Sequence, residues 1–252
     1  MLNNNTILAG VELMIEFNKQ LLRLLPYLIL VSLIISLGAI FIYTPPMYDG
    51  AGTLLNESFN IFFIHLPIAL ISYFAFMLVF VSSILYLHTF NNKWDKFAAS
   101  SAEIGAIFAF LVLLTGSIWA NDVWGWYWVW EPRLTTSLVL FLVYVGYIMV
   151  RQSVDEPEKG ARLSAIFGIV GFISVPLSFF SIRLWRSVHP VMFGDTFYGT
   201  TGGGIGGIEI IVTLFINLIA FFLLFVGLLI FRYDNEKLKS KVYTLKRKLM
   251  NN

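Results

Sequence analysis

The sequence predicts an all-α integral membrane protein, a six-helix transmembrane bundle with a tryptophan-rich extracytoplasmic loop. Three observations carry this reading. Of the 252 residues, 58% are hydrophobic and 13% charged, against about 25% charged in a soluble globular chain, and mean hydropathy is +0.79. Six stretches are apolar and long enough for a ~30 Å hydrocarbon core: roughly 24–43, 62–87, 102–120, 134–150, 163–182 and 208–231. The alternation of barrel strands is absent, which leaves helices, whose backbone groups pair internally in lipid. Residues 1–231 read as one six-span membrane domain, and 232–252 as a basic amphipathic cytoplasmic tail.

Composition excludes several classes. This much apolar content rules out a disordered chain and argues against a soluble one. A formal charge of +2, from 17 Lys and Arg against 15 Asp and Glu, gives no footing for nucleic acid. There is no cysteine, so disulfides, thiolate nucleophiles, Cys-ligated iron–sulfur clusters and thiolate-ligated haem are excluded. No Walker A motif is present, so P-loop ATP hydrolysis is not expected of this chain.

The elements follow in order. The first 23 residues do not read as a cleaved signal peptide, because they hold Glu12 and Glu16 and no A-x-A site follows the apolar run. Basic residues then fix the orientation. Lys19, Arg23, Lys93, Lys96, Arg151, Lys159, Arg162 and seven in the tail share one side, leaving Arg133, Arg183 and Arg186 on the other. The positive-inside rule places both termini in the cytoplasm of a multi-pass protein of the cytoplasmic (inner) membrane. The outer segments are then 44–61, 121–133 and 183–207. Glu103 is expected at the N-terminal end of span three, where a carboxylate suits the helix dipole. The Gly-rich stretch 200–207 contains GxGxxG, but no strand precedes it, so it reads as a loop. In the tail, Leu238, Val242, Leu245 and Leu249 share one helical face opposite lysines. That helix is expected to lie on the lipid surface.

The outer side carries the chemistry. Six of seven tryptophans lie at or beyond outer span ends: Trp119, Trp124, Trp126, Trp128, Trp130 and Trp185, with Trp94 inside. An interfacial belt would spread such residues over both surfaces, whereas five of them fall between 119 and 130. Extended, Trp124, Trp126, Trp128 and Trp130 share a face; as a helix they pair at i, i+4 on two faces. Either arrangement gives a large, stiff aromatic surface suited to a planar apolar ligand. Glu131 and Arg133 stand at its edge, Arg133 suited to a carboxylate; their plainer role is a local ion pair or loop anchor.

Of three histidines, His88 lies at the cytoplasmic end of span two, His65 about a turn inside its outer end, and His189 in the third outer segment. Taken singly, each outer histidine serves equally as a hydrogen-bonded structural residue. Taken together, they flank the aromatic platform, and neutral imidazoles are good axial ligands for haem iron. Structural zinc fits less well, because it wants four ligands.

The run Trp124-Gly-Trp-Tyr-Trp-Val-Trp130-Glu-Pro-Arg133-Leu-Thr135 resembles the tryptophan-rich signature of haem-handling proteins of cytochrome c maturation. Within them the chain is similar to the CcmC (haem exporter protein C) family, from span two to span six. Ile64-His65-Leu66-Pro67, Ala102 to Ala106, Leu114-Thr115-Gly116 and Trp185 to His189 carry the likeness too. Glu131 stands where the family has aspartate, and Pro132 where it has a small residue. The resemblance implies haem b (iron protoporphyrin IX) held on the extracytoplasmic face by two axial histidines, His65 and His189. The platform Trp119, Trp124, Trp126, Trp128 and Trp130 would cradle it, with Glu131 and Arg133 at its edge. It implies delivery to the haem chaperone CcmE beside the transporter subunits CcmA and CcmB and a small CcmD-like protein, and so transfer rather than catalysis in the strict sense. The rival readings are a b-type cytochrome electron-transfer subunit, a CcsA-like cytochrome c haem lyase, and a membrane scaffold with interfacial tryptophans only.

Overall fold

The computed structural model describes residues 4–46, 57–185, 189 and 207–250. Among these residues every regular element is helical. Helix α1 (Asn4–Gly38) closes in a π-helical turn, Ala39–Tyr43. A 3-10 turn at Glu57–Ile61 leads into α2 (Phe62–Thr89), followed by α3 (Asn92–Trp124) and α4 (Pro132–Gln152). Then come α5 (Pro157–Gly171), α6 (Ser174–Leu184) and α7 (Ile208–Met250). Six stretches are long and apolar enough to cross a membrane, α5 and α6 together forming the fifth. The Gly-rich GxGxxG reading falls largely on residues 200–206, outside the described residues.

Helices α2 and α3 form the centre. On one side Phe76 and Val79 of α2 and Ala98, Ala102 and Ala109 of α3 pack with Leu140, Tyr144 and Tyr147 of α4 and Val175 of α6. On the other, Ile68, Ile71 and Ala75 with Ile104 and Phe108 meet Phe225 and Leu229 of α7. The two central helices approach closely because small residues line their seam, as membrane helices require when lipid supplies no hydrophobic drive between them. At Gly105 an added Cβ would stand 2.8 Å from the Phe76 ring and 2.9 Å from the Ala75 Cβ. Phe76 in turn stacks on Tyr144, ring centroids 3.5 Å apart.

Polar contacts tie the periphery. Ser36 Oγ of α1 donates to Asn217 Oδ1 of α7 at 2.5 Å, and the Thr44 and Thr213 hydroxyls lie 2.9 Å apart. At the bundle end opposite the tryptophan run, Arg151 makes a two-pronged pair with Asp95, and Arg232 another with Glu103. Such pairs let charges sit near a membrane span.

Four expectations change. Span three begins at Asn92, capped by Asn91 accepting from the Lys93 amide at 3.0 Å, and runs on to Trp124. Its charged first turn hid the start from a hydropathy reading. Glu103 is therefore well inside α3 and serves as the partner of Arg232, not as an N-terminal carboxylate. Span five breaks between Gly171 and Ser174, because Pro176 has no amide to offer the Phe172 carbonyl one turn back. Finally, α7 is unbroken from Ile208 to Met250, so the tail continues the span's axis instead of turning onto the lipid surface. Its stripe residues Leu238, Val242, Leu245 and Leu249 are exposed.

Two local devices shape the tryptophan segment. Gly125 ends α3 with φ at 75°, a left-handed conformation that favours glycine. Glu131 caps α4, its Oε1 accepting from the Leu134 amide at 2.9 Å, with Pro132 at the first helical position.

Replacing Gly105 by valine should cost about 1–3 kcal/mol by overpacking the α2–α3 seam, read as a lower thermal midpoint in detergent. An unchanged midpoint would mean the seam has slack. Glu131→Ala should lose about 0.5–2 kcal/mol of capping and red-shift tryptophan emission; an unaltered spectrum would show that the cap does not hold the loop.

Candidate functional site

The site is assembled at the tryptophan-bearing end of the bundle, from the ends of α2, α3, α4 and α6. The start of α2 is anchored by Phe59, Phe62, Phe63 and Leu66, which pack with Ile40 and Ile210 and against Trp119. His65 follows on the next turn and faces α3. Its Nδ1 lies 2.9 Å from Thr115 Oγ1. An added Cβ on Gly116 would stand 3.0 Å from its Cε1, so the ring rests against the bare backbone of α3. The Trp119 ring meets His65 edge-on, centroids 6.3 Å apart.

A cavity opens beside this ring, lined by His65, Gly116, Trp119, Trp124, Trp128, Arg133 and His189 with apolar residues of α3. His189 comes from the segment after α6, so two histidines far apart in sequence share one cavity. A second, smaller cavity shares His65, Trp119, Arg133 and His189 and continues between α2 and α6 past Leu66, Tyr73 and Phe179.

The tryptophans divide. Trp119 and Trp124 stand on the last turns of α3, not in the loop, and Trp128 closes the wall beyond Gly125. Trp126 and Trp130 are 69% and 76% exposed and do not line either cavity. Trp130 meets Trp128 edge-on, centroids 5.6 Å apart, and so forms the outer rim. Trp185 is half exposed, and Trp94 and His88 belong to the opposite end. Glu131 is buried as the cap of α4. Arg133 ties α4 to α6, donating from Nη1 to the Ser178 carbonyl at 2.6 Å, and lies over the Tyr73 ring.

The donor set is selective. The indole Nε1–H groups of Trp119 and Trp128 are buried and lack any hydrogen-bond partner, a state that costs about 1–3 kcal/mol each unless something accepts from them. Among the described residues no three His, Asp or Glu side chains cluster as a bare ion would need. Two imidazoles in an apolar cavity with spare donors suit a flat, metal-centred, acid-bearing ligand that brings its remaining metal ligands with it. The residues thus fit haem.

Thr115 and Gly116 enter the sequence reading only through the family likeness, with no role attached, and Ser137 and Ser178 do not enter it. Thr115 and Gly116 lie one turn before Trp119, a spacing that gains meaning once span three is known to run past 120. Ser178 becomes visible only in three dimensions, where its hydroxyl lies 3.0 Å from Tyr73 Oη and 3.1 Å from Ser137 Oγ.

Comparison with known proteins agrees with this geometry. The profile of the family described as Heme exporter protein C (CcmC) matches residues 5–248. Heme exporter protein C of Bradyrhizobium diazoefficiens is 36% identical over 227 residues, covering 88% of this chain and 82% of its own. Its counterpart in Paracoccus denitrificans is 30% identical over 194 residues, 77% of each chain. A ccmC-like mitochondrial protein of cytochrome c biosynthesis from Marchantia polymorpha is 34% identical over 134 residues, 53% of this chain and 56% of its own. The chain belongs to the Heme exporter protein C family.

Proposed function

We propose that this chain binds haem b at the extracytoplasmic membrane face and delivers it to a CcmE-like haem chaperone for c-type cytochrome biogenesis. One observation carries the reading: His65 and His189, from separate segments, line the same apolar cavity as Trp119, Trp124, Trp128 and Arg133.

His65 and His189 serve as the axial ligands. Trp119, Trp124 and Trp128 form the wall against the macrocycle, and their aromatic faces exclude water from it. The guanidinium nitrogens of Arg133 not spent on α6 receive the propionates. Glu131 acts through its cap, holding the loop that carries Trp128 and Trp130. Trp126 and Trp130 remain outside as an aromatic rim for the acceptor protein, in keeping with the aromatic enrichment of interfaces. The haem is cargo here, and the protein's work is to bind, orient and release it.

The distribution of Lys and Arg supports an inner-membrane protein with both termini in the cytoplasm and the cavity outside. Membership of the Heme exporter protein C family supports transporter subunits of the CcmA and CcmB kind and a CcmD-like small protein as partners, the CcmA-like subunit supplying ATP hydrolysis.

The detergent-purified chain should show a bis-histidine haem spectrum that His65→Ala and His189→Ala each change and the double variant abolishes. Haem bound identically by the double variant would overturn the ligand assignment, and none bound by the native chain would overturn the function. Trp126→Ala with Trp130→Ala should keep that spectrum but slow transfer to a CcmE-like acceptor by about tenfold or more, the scale of a lost aromatic anchor. Unchanged transfer would remove the rim from the interface.

A further inference from the structure

The hydrogen bonds around His65 determine more than its position. The Thr115 hydroxyl has a single proton, which it donates to the Leu111 carbonyl one turn back at 2.8 Å, with a longer contact of 3.3 Å to the Val112 carbonyl. With that proton committed, Thr115 Oγ1 meets His65 Nδ1, 2.9 Å away, as an acceptor. Nδ1 must then carry the hydrogen. A neutral ring protonated there has its lone pair on Nε2.

Gly116 completes the arrangement. The His65 ring lies so close to α3 that a Cβ at this position would stand 3.0 Å from Cε1 and 3.7 Å from Nδ1. A Cβ there would require the ring to give by a few tenths of an ångström, which disturbs its hydrogen bond to Thr115. The adjacent pair Thr115-Gly116 therefore supplies an acceptor for one ring nitrogen and the space that lets the ring reach it.

We propose that Thr115 and Gly116 are positioning residues that lock His65 as the Nδ1–H tautomer and reserve Nε2 for iron. This rests on the haem reading above. The lock is made entirely by α3 and stands before any ligand arrives, so the protein presents a preformed donor instead of selecting one from two tautomers. Donation from Nδ1–H also raises the basicity of Nε2, which favours ferric over ferrous iron and lowers the potential of the bound haem.

The chain has three histidines, His65, His88 and His189, so ¹⁵N-histidine labelling of the full protein in lipid nanodiscs resolves each ring without haem. His65 should show Nδ1–H in the native chain and in Thr115→Ser, which keeps the hydroxyl. Thr115→Val and Gly116→Ala should lose that signature. In haem-loaded protein the same two variants should bind haem about 10- to 100-fold more weakly, the usual effect of removing an outer-shell partner. They should also raise its midpoint potential, with Thr115→Ser close to native. A His65 tautomer that is Nε2–H in the native chain, or indifferent to Thr115→Val, overturns the proposal. So does an intact tautomer shift with unchanged haem affinity and potential. Haem refused by the native chain while the tautomer behaves as stated overturns the haem reading instead.

Discussion

The close approach of α2 and α3 is the constraint on which the rest of the molecule depends. In lipid two helices gain little by burying Leu against Leu, and they hold together where small side chains let backbones come near. Ala75 against Gly105 is such a place, and further along the same seam His65 lies against Thr115 and Gly116. Helices α4 and α6 pack on one side of this pair and α7 on the other. The packing that builds the bundle thus also sets the histidine ring.

Polar groups are treated differently at the two ends. At one end the buried or half-buried charges of Asp95, Glu103, Arg151 and Arg232 are paired through two contacts each. At the other, two indole N–H groups are the only buried side-chain N–H donors without a partner among the described residues, and the Arg133 guanidinium reaches backbone carbonyls of α6 instead of a carboxylate. A membrane protein tolerates unpaired donors poorly; the hydroxyls of Ser83, Ser101 and Tyr144 are likewise buried without a partner in the helical core, and the two indoles differ from them in belonging to rings that line the cavity.

Much of this was legible in the chain. Long apolar runs identify six spans because lipid thickness dictates their length, and the density of tryptophans between 119 and 130 exceeds what an interface requires. The division of those tryptophans was not legible. It depends on α3 running as far as Trp124 and on the left-handed turn at Gly125, which sets Trp124 and Trp128 against the cavity while Trp126 and Trp130 face outward. Glu131 looked like a ligand contact or a loop anchor, and its buried cap geometry shows the anchor. The role of Thr115 was hidden for a simpler reason. A threonine in an apolar helix usually bonds its own preceding carbonyl, and nothing in the sequence says that the remaining lone pairs meet an imidazole from another helix.

Helix α7 joins the two ends in one stiff element. Ile210, near its start, packs in the cluster that supports Phe62 and Trp119 at the cavity, and Arg232 fastens the same helix to α3 near the opposite end. At 43 residues and about 1.5 Å per residue the rod is roughly 65 Å long, twice the thickness of the hydrocarbon core. It is held along its length as far as Arg232, through Ile210, Thr213, Asn217, Phe225 and Leu229, and beyond that residue it is a largely exposed overhang.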